Sequence, residues 1–209
     1  TTPVDADLVA LSDSNAGGVL KKLSWGSLKS TMAAAHQTEP DLLLYAMSRG
    51  VLGALKYDHF VDVTGGNDTN DGLTIGTAWK TLSKISGIAL APAQTKSIFV
   101  KAGTYSTALD YVLLSKNSSA GAVVNIAFES GCVMDGTLAN PGATSNVDGF
   151  EANGTSAWRL NIYGNGLLVR NYHDSSAGTS PNGVGSHGYA QVYVYNVTTL
   201  NCDDGFSAH

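Results

Sequence analysis

The first part of the chain alternates apolar and polar residues with the period of a β-strand. Every second residue from Val4 to Ala10 is apolar, which predicts an extended segment with one apolar side. Small and polar turn residues follow over Ser12–Gly18, and an extended pattern resumes over 19–23. The pattern predicts a hairpin of two short strands.

Two short helices are predicted after the hairpin. From Ser24, a favourable N-cap residue, apolar residues recur at helical spacing as far as Ala35. A second helix is predicted from Thr38, with a proline in its first turn, to Leu52. Because helices this short are marginal in water, we expect them to pack on other segments, including copies of themselves in an oligomer.

The pattern changes at Phe60. A strand is predicted over Phe60–Val63, followed by a loop rich in Gly, Asn and Asp over Thr64–Leu73. An amphipathic helix is predicted over Thr77–Ile85, and a strand that ends in a glycine turn over Ser97–Tyr105. The acidic spacing of the loop does not fit a calcium-binding EF-hand, so we interpret it as a series of turns.

Later segments repeat one theme. Val124–Phe128, Leu160–Tyr163 and Val192–Tyr195 each alternate apolar residues with others, as strands with one buried side do. A shift of 32 positions aligns the following residues: Leu160, Ile162, Tyr163 and Leu168 with Val192, Val194, Tyr195 and Leu200. The sequence Asp148-Gly-Phe150 also returns as Asp204-Gly-Phe206. Such repeats bury their apolar residues only when they stack on one another.

The run from Phe60 to Tyr105 contains "VDVTGGNDTNDGL", "TAWKTLSKI" and "IFVKAGTY" in this order. It resembles the opening of the pectate-lyase-like right-handed parallel β-helix superfamily. The resemblance implies a mainly β fold: a right-handed parallel β-helix over 60–209, with a cap helix at its start and loops at 138–156 and 173–189. A coil that stopped within a repeat would expose an unpaired edge, so we expect the polypeptide to continue beyond His209.

The N-terminal residues contain "PVDADLVALSDSNAGGVLKKLSWGSLKSTM". This segment is similar to one found near the N-terminus of bacteriophage tail-fibre and tailspike proteins. The resemblance implies an α+β virion-anchoring segment over 1–36 and a helical linker over 37–59. Its apolar residues exceed what so short a unit buries, and those expected to contact the virion or other subunits are Val9, Leu11, Leu20, Trp25 and Leu28. The alternative is an ordinary small subdomain packed on the β-helix.

Composition and charge remove several classes of function. Hydrophobic residues make up 43% of the 209 residues, which argues against intrinsic disorder. The formal net charge is −5, and no basic cluster is longer than Lys21-Lys22, so nucleic acid is not an expected partner. No stretch is apolar for about 18 residues, so membrane insertion is not expected. Cys132 and Cys202 match no metal or redox spacing; we expect buried free thiols, and no metal or other cofactor.

Candidate chemistry is carried by carboxylates and tyrosines. β-Helix proteins that cleave polysaccharides need two groups within reach of one glycosidic bond. The main catalytic candidates are Asp203, Asp204 and Glu129, and the further candidates are Asp135, His173, Asp174 and His209. For Asp204 the alternative is a hydrogen bond to the backbone of a coil turn, because an Asp before Gly is typical of such turns. Tyrosine rings suit the apolar faces of sugars, and the candidates are Tyr163, Tyr172, Tyr193 and Tyr195. Stacking along the strand surface is the alternative for each tyrosine.

Together the two resemblances predict a subunit of a viral fibre or tailspike on the outside of the virion. It would form a homotrimer, bind other virion proteins of the tail, baseplate or capsid, and bind or degrade host cell-surface polysaccharide. The main alternative is a secreted bacterial polysaccharide lyase or glycoside hydrolase. That class needs an export signal, whose pattern the first residues do not show, although removal of a leader would explain its absence. A bacterial adhesin passenger domain is a third possibility.

Overall fold

The computed structural model describes residues 8–13, 19–24, 57–115, 120–137, 147–173 and 181–208. The chain divides into two compact units, Thr1–Leu52 and Gly53–His209. Their boundary falls inside the predicted linker 37–59. The two predicted helices between Ser24 and Leu52 lie outside the described residues.

The first unit contains the predicted hairpin. Strand β1 (Leu8–Asp13) pairs in antiparallel fashion with β2 (Val19–Ser24). Leu8 lies opposite Ser24, and Asp13 lies opposite Val19. The hairpin prediction is confirmed, and the predicted strand residues before Leu8 lie outside the described residues.

The second unit is mainly β with parallel pairing. Its strands are β3 (His59–Val61), β4 (Thr95–Val100), β5 (Thr104–Tyr105), β6 (Val112–Ser115), β7 (Val123–Phe128), β8 (Val133–Asp135), β9 (Phe150–Arg170), β10 (Asn182–Leu200) and β11 (Asp204–Ala208). A 3-10 turn at Ile75–Thr77 and a short helix α1 (Ser83–Ser86) precede β4. The mainly β, parallel character predicted from the sequence is confirmed, and the sheet is not closed.

The strands pair in three parallel ladders. The first ladder contains β3, β4, β7, residues 158–163 of β9 and 190–195 of β10. The second contains β5, β8, 167–170 of β9 and 197–200 of β10. The third contains β6, 150–154 of β9, 182–188 of β10, and β11. From β4 to β11 the chain contributes a strand to the first ladder, then to the second and then to the third, and this order repeats.

The core lies on one side of these ladders. In the first ladder Ile98 pairs with Ile126, and Ile126 pairs with Ile162; all three are fully buried. Each such side chain contributes about 1.5–3 kcal/mol when it leaves water. Strand side chains alternate between two faces. The residues directly before and after each isoleucine in its own strand therefore point away from the core.

The repeated Asp-Gly-Phe sequence occupies equivalent positions in the third ladder. Phe150 pairs with Val184, and Val184 pairs with Phe206, so the two Asp-Gly-Phe segments are two rows apart in one stack. The row between them is Asn182-Gly-Val184, a third copy that the sequence comparison misses because asparagine replaces aspartate. The predicted echo is therefore confirmed and extended.

The 32-residue shift holds for only part of β9 and β10. Leu160, Ile162 and Tyr163 pair with Val192, Val194 and Tyr195 as predicted. The predicted match of Leu168 with Leu200 is wrong, since Thr198 lies opposite Leu168 and Arg170 lies opposite Leu200. The register changes between Tyr195 and Val197. At this turn β10 has one residue with positive φ, Asn196, whereas β9 has two, Asn165 and Gly166.

The predicted cap helix over Thr77–Ile85 is wrong for most of its length. The α-helix is limited to Ser83–Ser86. Trp79 instead forms a parallel bridge with Val61, and an Asp68 carboxylate oxygen accepts hydrogen bonds from the N–H groups of Lys80 and Thr81. These partners take the donors that a continuous helix would use internally. The apolar residues of the predicted face, Trp79, Leu82 and Ile85, are nevertheless buried.

The predicted loops at 138–156 and 173–189 are also too long. Strand β9 already begins at Phe150, and β10 already begins at Asn182. Strand β9 begins directly after Gly149, whereas Gly183 is the second residue of β10. The pairing of these residues with a neighbouring row supplies the hydrogen bonds that their composition alone does not indicate.

Candidate functional site

The side of the first ladder that points away from the core carries aligned aromatic residues. Tyr163 and Tyr195 are register partners, and their rings stack with centroids 5.1 Å apart and planes 8° from parallel. Tyr163 is buried and Tyr195 is half-buried. Burial is the main cause that raises the pKa of Tyr163, so the Tyr163 ring is neutral near pH 7.

Tyr193 lies on the same side and is 41% exposed. The guanidinium carbon of Arg159 lies 5.0 Å from the centroid of the Tyr193 ring, within the range of a cation–π contact. Arg159 is itself exposed. The ring therefore holds a charged group in place at the surface.

A row of hydrogen-bonded polar side chains leads across the strands to Asn161, the register partner of Tyr193. Asn161 Nδ2 donates to Asn125 Oδ1 at 2.8 Å, and Asn125 Nδ2 donates to Ser97 Oγ at 3.2 Å. These residues are register partners in β4, β7 and β9. The hydrogen bonds fix the side chains, so this face combines rigid rings, amides and one guanidinium.

Three of the four tyrosines predicted to bind carbohydrate share this face: Tyr163, Tyr193 and Tyr195. The prediction for Tyr172 is wrong, because its side chain is fully buried and its hydroxyl donates to the carbonyl oxygen of Asp110. A tyrosine inside the core cannot meet a polymer at the surface. Tyr163 and Tyr195 stack on each other across neighbouring strands, in agreement with the alternative that such rings cover the strand surface.

Glu129 lies in a different ladder from the adjacent catalytic candidates Asp203 and Asp204. Glu129 follows β7 in the first ladder, and its Oε2 accepts from Ala102 N at 2.8 Å. Asp204 begins β11 in the third ladder and pairs with Asn182. Asp203 precedes it in the turn, where its N–H donates to the carbonyl oxygens of Tyr172 and Pro181. Glu129 and the backbone of the 203–204 turn therefore each form hydrogen bonds that support the strand connections.

Asp135 also serves the structure. Its Oδ2 accepts from Arg170 Nε at 2.9 Å, and its Oδ1 accepts from Thr137 and Asn171. Burial raises the pKa of Asp135, but these hydrogen bonds outweigh burial and lower the pKa to about 2. His173 is exposed, while Asp174 and His209 lie outside the described residues.

A different acidic group was not predicted from the sequence. A Cβ on Gly185 would lie 2.3 Å from Asp148 Oδ2, so the Asp148 carboxylate lies directly over Gly185. Glu151 is the register partner of Gly185 and therefore lies beside this carboxylate. Burial, then the charge of Asp148, raises the pKa of Glu151, while His187 lowers it. Asp148 in turn accepts from Asn182 N at 2.7 Å.

The Gly, Asn and Asp-rich loop forms the predicted turns. Asp62 Oδ1 accepts from two backbone N–H groups within the loop, and Asp71 Oδ1 accepts from Leu73 N. Asp62 also forms an ion pair with Lys101 at 2.9 Å. In the described ranges, no group of three or more His, Cys, Asp or Glu side chains is arranged to hold a metal ion.

Other predicted residues are placed as follows. Cys132 is buried and free, as predicted, whereas free Cys202 is only half-buried. Val9, Leu11 and Leu20 lie on the hairpin strands, and Trp25 and Leu28 lie outside the described residues. Among the helices that the structure describes, none has the length and apolar character needed to span a membrane.

Comparison of the chain with protein-family models, with curated proteins and with solved structures finds no match. The resemblances noted in the sequence therefore remain expectations. The case for function depends on the three ladders and on the side chains that they align.

Proposed function

We propose that this chain is a viral fibre or tailspike subunit that presents a right-handed parallel β-helix to host cell-surface polysaccharide. The proposal rests on one observation: successive strands of the chain join three parallel ladders in a constant, repeating order. Such winding gives a rigid column whose outward side chains repeat at the strand spacing of about 4.8 Å. A long polymer is a natural ligand for a surface of this kind.

The right hand of the coil is inferred from a general rule. Connections between parallel strands of one sheet are right-handed in about 98% of cases. The links from β4 to β7 and from β7 to β9 are connections of this type. A left-handed coil would require an exception at every turn.

Polysaccharide as the ligand is supported by the outward face of the first ladder. Exposed Tyr193 offers a flat ring with a polar rim, which suits the C–H face and hydroxyl edge of a sugar. The neighbouring amides of Asn125 and Asn161 are held by hydrogen bonds. Rigid side chains of this kind lose little entropy when they bind.

The proposed role on the virion depends on the N-terminal unit. The segment 1–36 would dock the subunit on a tail, baseplate or capsid protein, and three copies would associate as a homotrimer. Support comes from the resemblance of this segment to phage anchoring segments and from the division of the chain into two units at Leu52. The virion exterior follows as the location.

Two measurements test the proposal. Binding of the full chain to an array of bacterial capsular polysaccharides and lipopolysaccharides is expected for at least one glycan, and Tyr193→Ala is expected to weaken it about tenfold or more. Native mass measurement at low concentration is expected to give a trimer. Absence of glycan binding across the array, or a monomer that binds no virion protein, would overturn the proposal.

The alternative of a secreted polysaccharide lyase or glycoside hydrolase is favoured by one observation. Glu151 and Asp148 lie side by side in the third ladder, and the pKa of Glu151 is raised, as general acids require. Incubation with the glycans that bind would then release new reducing ends or unsaturated uronates. A Glu151→Gln variant that binds glycan but releases no product would support this alternative, and full activity of that variant would exclude Glu151 as the acid.

A further inference from the structure

Arg159 differs from three other basic residues on the described part of the chain, which form ion pairs. Lys96, Lys101 and Arg170 each form an ion pair with a neighbouring aspartate, at distances between 2.9 and 3.5 Å. Arg159 forms no ion pair with any described residue, and its guanidinium lies instead against the ring of Tyr193. Its charge is thus positioned without being neutralised by those residues.

The contact with Tyr193 restricts the guanidinium in a useful way. The ring contacts the guanidinium on one side only, and Arg159 is exposed, so N–H donors of the group remain directed to the surroundings. That edge matches the two oxygens of a carboxylate, and charge-assisted bonds of this kind are about twice as strong as neutral ones. An exposed arginine without such a support would have to lose more side-chain freedom on binding.

The residues around Arg159 suit a sugar that carries the acid. Asn161 lies two positions along β9, Tyr193 lies opposite Asn161, and the stacked Tyr163 and Tyr195 lie two positions further. The distance from Arg159 to Tyr163 along the strand is about 13 Å at the usual rise per residue. The cation and the rings therefore lie along one line on one face.

We propose that Arg159 and Tyr193 select polysaccharides that carry carboxylate groups, such as those with uronic acid units. This inference depends on the proposed glycan binding and names the class of glycan. The formal net charge of −5 opposes an acidic polymer at long range, but salt screens it beyond about 8 Å at physiological ionic strength. Recognition is consequently local and decreases as salt rises.

The test compares three variants of the full chain on defined glycans by titration calorimetry. The probes are hyaluronan and alginate oligosaccharides, the same oligosaccharides after reduction of their carboxyl groups, sulfated dextran, and neutral dextran. Arg159→Gln removes the charge, and Arg159→Lys keeps the charge without the planar fork. Lys80→Gln is the matched control, because Lys80 is exposed and outside the three ladders.

We expect Arg159→Gln to weaken binding of a carboxylated probe at least tenfold and Arg159→Lys to recover only part of the loss. Lys80→Gln is expected to change affinity less than twofold, and carboxyl reduction of the glycan is expected to abolish the difference between Arg159→Gln and the unmodified chain. Equal binding of neutral and carboxylated glycans would overturn this inference and leave the proposed function standing. Preference for sulfated dextran would overturn the assignment to carboxylates, and binding of no glycan at all would overturn the proposed function with it.

Discussion

A methyl group at Gly149 tests the stacking of the glycine turns in the third ladder. A Cβ at this position would lie 2.7 Å from the carbonyl oxygen of Gly183, 2.9 Å from Val169 Cγ1 and 3.2 Å from Tyr172 Cε2. The first atom belongs to the backbone of the neighbouring row, and the other two belong to buried side chains. Gly149 does not have a positive φ, so the penalty for Gly149→Ala comes from space alone.

The size of the effect follows from overpacking. Insertion of a methyl group into a tightly packed site costs about 1–3 kcal/mol. In a protein of this length each kcal/mol lowers Tm by about 2–4 °C, so Gly149→Ala is expected to lower Tm by about 2–12 °C. The matched control is Gly87→Ala, where the new Cβ would lie 3.5 Å from Lys84 O and φ is −78°. The control is expected to leave Tm unchanged or to raise it slightly.

Thermal and urea unfolding followed by circular dichroism measure both variants. If Gly149→Ala were as stable as the unmodified chain, then Gly149 and Gly183 would not be stacked as described. An equal loss in Gly87→Ala would also contradict the reasoning, because the effect would then not depend on the crowded site.

Three further outcomes are expected. Ile126→Ala should lower the free energy of unfolding by about 2–5 kcal/mol, whereas Leu113→Ala, at a site that is 36% exposed, should lower it by about 0.5 kcal/mol or less; similar losses in urea unfolding would contradict the placement of the core. Asp135 has a pKa of about 2 in the folded chain, below its ordinary value, so its stabilisation is complete above about pH 4 and disappears as the pH falls through 2. In Asp135→Asn the free energy of unfolding should therefore decrease less between pH 5 and pH 2 than in the unmodified chain. An equal decrease in both proteins would refute this assignment. Burial raises the pKa of Cys132 to about 12, so a thiol reagent at pH 8 should label Cys132 only after unfolding, and rapid labelling of the folded chain, mapped by mass spectrometry, would contradict its burial.

The strands of the coil could be predicted where one side is buried. Alternation marks Val124–Phe128, Leu160–Tyr163 and Val192–Tyr195 because each has inward aliphatic residues at every second position. The helix over Thr77–Ile85 was not correct, since its spacing is amphipathic but its backbone donors bind Asp68 and Phe60. Such partners depend on tertiary structure and leave no local pattern.

The candidate sites were predicted less completely than the strands. The alternation of β10 predicts that Tyr193 and Tyr195 point away from the core. Tyr172 lies two residues after the end of β9, where no strand period indicates whether a side chain is buried or exposed. The pair of Asp148 and Glu151 is not predicted from the sequence. Asp148 reaches the neighbourhood of Glu151 because Gly185, the register partner of Glu151 in the next row, has no side chain to occupy that space. Arg159 was missed because its partner ring lies 34 positions later, at Tyr193.

A disulfide between register partners measures the winding of the chain most directly. Arg159 and Gln191 are exposed parallel partners in the first ladder, and adjacent strands are about 4.8 Å apart, within the Cα separation that a disulfide spans. In a chain with Cys202→Ser, the pair Arg159→Cys and Gln191→Cys is expected to form an intramolecular disulfide under mild oxidation. The pair Arg159→Cys and Thr198→Cys is expected to remain reduced. Failure of the first pair to close, or equal closure of the second, would contradict the parallel coil.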